Sequence, residues 1–157
     1  MIDITNINLQ QGPLKEFNKF YNNAMSSKQQ SIEAACISTI DASKKTVHSR
    51  FINIKYVDES NFIFFSNYES NKANEIKTCS KVSLAFYWNT VNIQIRIEGE
   101  ISKLDELVSD EHFRNRSKKK NALAISSNQS KEIDSYETVQ KNYQQELDKI
   151  SDLSKRP

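Results

Sequence analysis

The sequence feature that most constrains the fold is an alternating run between residues 91 and 104. Its central positions switch regularly between apolar and polar side chains: Ile93, Gln94, Ile95, Arg96, Ile97 and Glu98. A two-residue period is typical of a β-strand with one face toward a core and the other toward water, a partner subunit or a ligand. Because antiparallel sheets commonly contain such strands, the run predicts a small antiparallel β-barrel.

Four more segments are rich in the β-branched, aromatic and small apolar residues that favour strands. They are residues 31–42, 46–57, 61–66 and 81–88. With the alternating run, they predict a barrel over residues 31–104.

Three segments have apolar residues at helical spacing instead. The first, 13–28, follows the turn signal at Gly12 and Pro13; a short helix is predicted at 71–79, and a helical part at 105–153. The sequence therefore predicts a single domain over residues 1–157 of the α+β class, mainly β, with helices at its periphery.

The composition restricts the ligands that such a domain can bind. The 22 Lys and Arg residues nearly balance the 20 Asp and Glu residues, so a net charge of +2 gives no general attraction to nucleic acid or acidic membranes. The chain has only two glycines, which argues against the glycine-rich phosphate loops of Rossmann and P-loop proteins. Any phosphate must therefore be bound locally by side chains.

Cysteine usage and hydropathy point to a cytoplasmic protein. Cys36 and Cys79 are the only cysteines and have no metal-ligand spacing, so neither a disulfide framework nor a metal site is expected. No stretch approaches the roughly 20 consecutive apolar residues that cross a bilayer. The first residues also lack the basic and apolar regions of a signal peptide.

Two places could hold an anion. Ser70 and Lys72 lie at the start of the predicted short helix, where free N–H groups and the helix dipole favour a phosphate. Arg50 and Lys55 lie on a largely apolar strand, where a cation usually needs an anion. The alternatives are an ordinary capped helix and two cations on a solvated face.

A basic run at residues 114–120 is a third candidate, because five of its seven residues are cationic. It is either a solvated junction between helices or the mouth of a site that attracts an anionic substrate.

Five blocks, in order and at consistent spacing, closely resemble the pyridoxamine 5′-phosphate oxidase family. They are RFINIK at 50–55, FFSNYESNK at 64–72, FYW at 86–88, QIRIEG at 94–99 and SNQS at 127–130. The resemblance implies an antiparallel split β-barrel that binds FMN, built as a homodimer with flavin in clefts between the subunits. It also implies an oxidase that converts pyridoxamine or pyridoxine 5′-phosphate to pyridoxal 5′-phosphate with O₂, in vitamin B6 metabolism.

The same resemblance implies site residues, although no catalytic residue is singled out. The flavin phosphate is assigned to Arg50, Ser66, Ser70 and Lys72. The rest of the flavin site, partly supplied by the other subunit, is assigned to Phe51, Ile52, Lys55, Phe65, Asn71, Gln94, Gln129 and Ser130. The substrate is assigned to Lys55, His112, Arg116 and Lys120.

Several positions depart from the family pattern. Asn71 stands where the family usually has arginine, which predicts weaker FMN binding. His112 and Lys120 stand where the family has Tyr and Ser at the substrate phosphate, and only Arg116 is kept. Residues 156–157 resemble the start of the family's Arg-Pro-x-x-Trp-Gly-Gly segment, so the family's C-terminal segment is expected to be absent and the oxidase activity weak. An FMN oxidoreductase with another substrate and a non-catalytic protein that binds flavin or pyridoxal phosphate remain alternatives.

Overall fold

The computed structural model describes residues 1–5, 11–127, 129–149 and 156 of the chain. In these residues it contains six strands and five helices. In chain order they are β1 (Asp3–Thr5), α1 (Pro13–Ser26), β2 (Ala34–Asp41), β3 (Thr46–Asp58), β4 (Asn61–Phe64), α2 (Asn71–Thr78), β5 (Lys81–Trp88), β6 (Ile93–Glu100), α3 (Glu106–Arg114), α4 (Lys118–Ser126) and α5 (Tyr136–Asp148). The predicted α+β class is confirmed.

The strands form one sheet in the order β1-β3-β2-β5-β6, with β4 paired to β3 off this path. All pairs are antiparallel except that of β1 with β3, which is parallel. The long strand β3 thus has three partners. Among the described residues the sheet does not close on itself, because β1 and β6 are not paired.

The structure differs from the sequence prediction at several element ends, and it contains one short strand that was not predicted. Strand β1 was not predicted, because its three residues are too few to display a period; it is held by pairing with Tyr56–Asp58 of β3. The segment predicted as one strand at 91–104 is a strand only over Ile93–Glu100. The end of the helix predicted at 134–153 lies partly outside the described residues.

Helix α1 packs on one face of the sheet. Gly12 precedes it with a φ of 87°, in the left-handed region that favours glycine, and Pro13 begins it, where the missing N–H costs nothing. Its Phe17 lies 5.7 Å, ring centre to ring centre, from both Phe86 and Trp88 of β5. Truncating such a buried ring typically costs about 3–5 kcal/mol of folding free energy, so this aromatic cluster anchors the helix on the sheet.

The opposite face of the sheet is exposed and partly apolar; we call it the outer face. The register places Phe51, Cys36, Ala85 and Arg96 in one row across β3, β2, β5 and β6. Phe51 is 77% exposed, and Tyr87, two residues beyond Ala85, is 64% exposed. Large rings are seldom left so open on a sheet, so this face is a candidate contact surface.

The described residues form two compact units. The first comprises Met1–Ser66 and Asn74–Ile101 and contains the sheet and α1; the second comprises Asn67–Ala73 and Ser102–Pro157. In the second unit, Asp105 caps α3 by accepting from the Leu107 N–H at 2.8 Å, and Ser135 caps α5 by accepting from the Thr138 N–H at 3.2 Å. The basic run lies at the junction of α3 and α4, and α4 packs on α5.

Candidate functional site

Arg50 points to the core face of the sheet, where it meets an acid. It pairs with Ile37 of β2 in the strand register, and its side chain is 26% exposed. Its Nη2 lies 3.0 Å from Oε2 of Glu75 on α2, and its Nη1 donates to the hydroxyl of Thr39. The guanidinium of Arg50, which was predicted to bind the flavin phosphate, is therefore already held in one orientation by Thr39 and Glu75.

Glu75 is the centre of this cluster, and it is only 7% exposed. Its Oε2 accepts from the Thr39 hydroxyl and from Arg50, while its Oε1 lies 2.8 Å from Nδ1 of His48. Burial alone raises the pKa of this carboxyl, but the hydrogen bonds from Thr39, Arg50 and His48 outweigh it, so the pKa lies below its ordinary value. Glu75 is accordingly a carboxylate at neutral pH.

Lys55 lies at a β-bulge. Ile54 pairs with Phe64 and Tyr56 pairs with Ile63, so Lys55 is the extra residue of β3 against β4. Its ammonium is 3.6 Å from Oε1 of Glu33, and a bulge of this kind re-aims a side chain away from the regular alternation. Burial raises the pKa of Glu33, but its backbone hydrogen bond and the nearby cations lower it to below the ordinary value.

The other predicted flavin residues of the first unit are spread over the sheet. Phe51 lies on the outer face, whereas Ile52 is half-buried on the core face. Phe65 makes an edge contact with Tyr56, with ring centres 6.1 Å apart. Gln94 is exposed on β6, three strands from Arg50 in the sheet order, so the structure does not bring these two together.

Ser66 has an unusual environment. Its Oγ is buried, and among the described residues it has no hydrogen-bond partner. A buried hydroxyl without a partner costs folding free energy, typically about 1–3 kcal/mol. A ligand oxygen that accepts a hydrogen bond from this hydroxyl would remove that cost.

In the second unit, Lys72 brings three predicted residues together. Its side chain is buried, and its Nζ donates to Oγ of Ser70 at 3.0 Å and to Oε1 of Gln129 at 2.8 Å. The Ser70 hydroxyl in turn donates to the Asn67 carbonyl at 2.7 Å, rather than capping α2. Asn71 is exposed at the first position of α2.

Ser130, next to Gln129, is exposed and has a φ of 68°. Non-glycine residues rarely adopt this left-handed conformation, so the turn after α4 is a constrained one. The neighbouring Asn128, part of the SNQS block, lies outside the described residues.

The predicted substrate residues lie around the junction of α3 and α4. Arg116 donates from Nη2 to the backbone carbonyl of Lys120 at 3.1 Å, and its guanidinium carbon lies 5.4 Å from the ring centre of Phe113. Burial lowers the pKa of Arg116 from its ordinary value, although a guanidinium stays charged at neutral pH. The Lys120 side chain is exposed, and His112 is half-buried on α3.

Sequence reasoning missed the partners of the cations. Thr39 continues the buried positions Ala35 and Ile37 of β2, so it is a polar residue at a core position. That signal was available, because a buried polar group needs a partner. Glu75 could not be assigned in the same way, since only the packing of α2 on the sheet brings it to Arg50.

The described residues exclude two further kinds of feature. They contain no group of three or more His, Cys, Asp or Glu residues that could hold a metal ion. None of the helices seen in this part of the chain is both long and apolar enough to cross a membrane.

Comparison with known sequences identifies a family. The family described as pyridoxamine 5′-phosphate oxidase matches residues 22–148. A pyridoxine/pyridoxamine 5′-phosphate oxidase of Hydrogenovibrio crunogenus is 32% identical over 139 residues, which are 88% of this chain and 64% of the relative. The chain therefore spans less than two thirds of that relative's length.

Two solved structures are similar in fold. PhzG from Burkholderia lata, in complex with tetrahydrophenazine-1-carboxylic acid, superposes with a TM-score of 0.81 at 24% identity, covering 86% of this chain and 66% of that one. A pyridoxamine 5′-phosphate oxidase-related, FMN-binding protein from Nostoc punctiforme gives a TM-score of 0.66 at 14% identity, covering 83% of this chain and 72% of that one. The fold is thus that of the FMN-binding split barrels, as predicted.

Proposed function

Because the chain belongs to the pyridoxamine 5′-phosphate oxidase family, we propose that it binds FMN and oxidises pyridoxamine or pyridoxine 5′-phosphate to pyridoxal 5′-phosphate, with O₂ as electron acceptor. The observation that carries this proposal is the buried Lys72 ammonium, held between Ser70 and Gln129. All three residues were assigned to the flavin, Ser70 and Lys72 from one sequence block and Gln129 from another.

The residues present fit the phosphate of FMN. A phosphate dianion requires cations and hydroxyl or N–H donors in a partly dry environment. Lys72 and Arg50 supply the charge, and Ser66 and Ser70 supply hydroxyls. The buried Ser66 Oγ without a partner among the described residues supports this assignment most directly, because a phosphate oxygen would satisfy it.

The rest of the flavin would be held by less charged groups. We assign the ring to the backbone at Phe51 and Ile52 and to Phe65. Asn71, Gln94, Gln129 and Ser130 are assigned to its polar edges, to which they would bring amide and hydroxyl groups, partly from the other subunit of a dimer.

The substrate phosphate is assigned to Arg116, with Lys120 and His112 beside it in the sequence pattern. Arg116 is oriented by its hydrogen bond to the Lys120 carbonyl and by its contact with Phe113, so the orientation of its guanidinium is partly fixed before the substrate binds. Lys55 would lie near the ring and the substrate, since its bulge releases it from the sheet alternation. When bound, FMN supplies the hydride acceptor and the reactivity with O₂. The side chains assigned to the substrate, Arg116, Lys120, His112 and Lys55, would bind and orient it.

A second candidate is an oxidoreductase of the same fold that acts on another substrate. The similarity to PhzG, a protein solved with tetrahydrophenazine-1-carboxylic acid, favours it. His112 and Lys120, which replace the family's Tyr and Ser, favour it too, because they change the charge and hydrogen bonding expected at the substrate phosphate.

We also propose that the chain forms a homodimer through the outer face. Val47, Phe51 and Tyr87 are between 64% and 77% exposed on this face. A second copy would remove these side chains from water, and each 100 Å² of apolar surface buried contributes about 2.5 kcal/mol.

The test is direct. Protein purified with FMN should be yellow, and with O₂ it should convert pyridoxamine 5′-phosphate to pyridoxal 5′-phosphate, releasing ammonia and hydrogen peroxide in equal amounts. Flavin-loaded protein that gives no product would favour the second candidate. Protein that takes up no FMN at all would refute both.

A further inference from the structure

The structure contains a buried acid that neither the sequence blocks nor the family assignment explains. Glu75 lies on α2, and its two oxygens accept from three side chains on two strands: Thr39 of β2, and His48 and Arg50 of β3. Resting on the proposed function, we propose that Glu75 is a positioning residue that fixes the guanidinium of Arg50 for the phosphate of FMN.

Arg50, Thr39 and Glu75 form a closed triangle of hydrogen bonds. Arg50 donates through Nη1 to the Thr39 hydroxyl and through Nη2 to Glu75, and the Thr39 hydroxyl itself donates to Glu75. Each proton therefore has one acceptor, and the direction of every bond is determined. Two of the three guanidinium nitrogens are engaged on the acid's side, which fixes the plane of the fork.

The remaining hydrogens of the guanidinium are available to a ligand. A guanidinium carries five N–H bonds in one plane, and the triangle uses one from each terminal nitrogen. Among the described residues, Nε makes no hydrogen bond. Arg50 can thus bind a phosphate without leaving Glu75, so the ordering of its long side chain is completed before the ligand arrives.

Glu75 is poorly explained as a contribution to stability alone. A buried ion pair stabilises little relative to apolar side chains of similar size, because both charges lose their hydration. What the carboxylate of Glu75 adds at this position is a fixed orientation of the Arg50 guanidinium. It matters more in this chain because Asn71 replaces the arginine that the family places beside the phosphate, leaving Arg50 and Lys72 as the assigned cations.

The experiment compares FMN with riboflavin, which has the same ring system but no phosphate. Dissociation constants are measured by quenching of flavin fluorescence for the wild type, Glu75→Gln, Thr39→Val and Thr39→Ser. Glu75→Gln should raise the Kd for FMN about tenfold or more, the loss of one charge-assisted bond, and leave the Kd for riboflavin within about twofold. Thr39→Val should show the same selective loss, and Thr39→Ser should restore FMN binding.

Glu100→Gln is the matched control. It removes the same charge from an exposed ion pair with Lys81 in the same unit, and both Kd values should stay unchanged. Should Glu75→Gln fail to fold, Thr39→Val decides the question, because it breaks the triangle without changing the charge.

Three outcomes would overturn the inference alone: unchanged or tighter FMN binding in Glu75→Gln, an equal loss of FMN and riboflavin, or a wild type that does not distinguish the two flavins. A wild type that binds neither flavin would refute the proposed function as well, so the two failures are told apart by the wild-type titration.

Discussion

Lys72 and Gln129 are separated by 57 residues, yet the ammonium of one donates to the amide oxygen of the other across 2.8 Å. This bond joins two blocks that sequence alone could assign to a flavin site but could not bring together. It makes the start of α2 and the turn after α4 parts of one polar cluster.

Replacing Lys72 with methionine should abolish most FMN binding. The change keeps the length of the side chain and removes its charge, so the loss should be the ~1.5–3 kcal/mol of a charge-assisted hydrogen bond. Titration with FMN measures it. Lys77→Met, on the same helix but exposed, is the control and should bind FMN normally.

Replacing Arg50 with alanine should weaken FMN binding by a similar ~1.5–3 kcal/mol and also destabilise the protein without ligand. The second effect arises because Glu75 loses its cation, and removing one partner of a buried pair costs about 3 kcal/mol or more. Urea denaturation and FMN titration measure the two effects separately. Lys19→Ala, which removes a cation from an exposed ion pair on α1, should change neither by more than about 0.5 kcal/mol. Unchanged flavin affinity in Arg50→Ala would mean that the phosphate binds elsewhere.

The lowered pKa of Glu75 predicts a particular dependence of stability on pH. Because the folded-state pKa lies below the ordinary value of 4.5, the stabilisation by the carboxylate is complete above pH 4.5 and is lost as the pH falls through the folded-state pKa. The difference in unfolding free energy between wild type and Glu75→Gln should therefore shrink as the pH falls below 4.5. Urea denaturation at a series of pH values measures this difference, and a constant difference down to pH 3 would contradict the prediction.

The outer face provides a test of the proposed dimer. Introducing Val47→Asp and Tyr87→Asp together should yield a monomer, because two charges would otherwise be buried at the contact. Sedimentation velocity distinguishes the two states. Leu107→Asp, which alters a residue that is 77% exposed in the second unit, should leave the assembly unchanged. A double variant that sediments like the wild type would exclude this face as the contact.

Replacing Arg116 with methionine should raise the KM for pyridoxamine 5′-phosphate more than it lowers kcat. Arg116 is assigned to the substrate phosphate, which lies away from the reacting carbon, so its loss removes binding that is shared by ground state and transition state. Steady-state kinetics with FMN-loaded protein measure both constants. Arg114→Met, an exposed neighbour, is the control, and equal KM values for the two variants would remove Arg116 from the site.

Much of the fold could be predicted because it follows from local patterns. The strand Lys81–Trp88 was predicted with both ends correct, and α1 was predicted from Pro13 with an end two residues too late. Local patterns also place Ser70 and Lys72 at the start of α2. These features depend on residues close together in sequence, which is the range that periodicity and turn signals report.

The electrostatic partners could not be predicted, because they depend on how elements pack. Glu75 meets Arg50 only because α2 lies over one end of β2 and β3, and Glu33 meets Lys55 only because a bulge turns that side chain. The three-residue strand β1 could not be predicted either, because it depends on pairing with residues of β3 that lie more than fifty positions away in the sequence. Sequence therefore singled out Arg50 and Lys55 as candidate site cations but could not predict the acids, Glu75 and Glu33, that pair with them.

The bulge at Lys55 has a consequence for how this barrel can change. A residue outside the regular pairing is not counted in the alternation that keeps Ile54 and Val57 buried, so its side chain can be exchanged without repacking the interior. Deleting it would join Ile54 directly to Tyr56, whose partners Phe64 and Ile63 are already consecutive on β4, so the pairing would become regular and Val57 would stay on the buried side. The strand can therefore acquire a new chemistry at Lys55 by substitution, and it would keep its buried face even if it lost that residue.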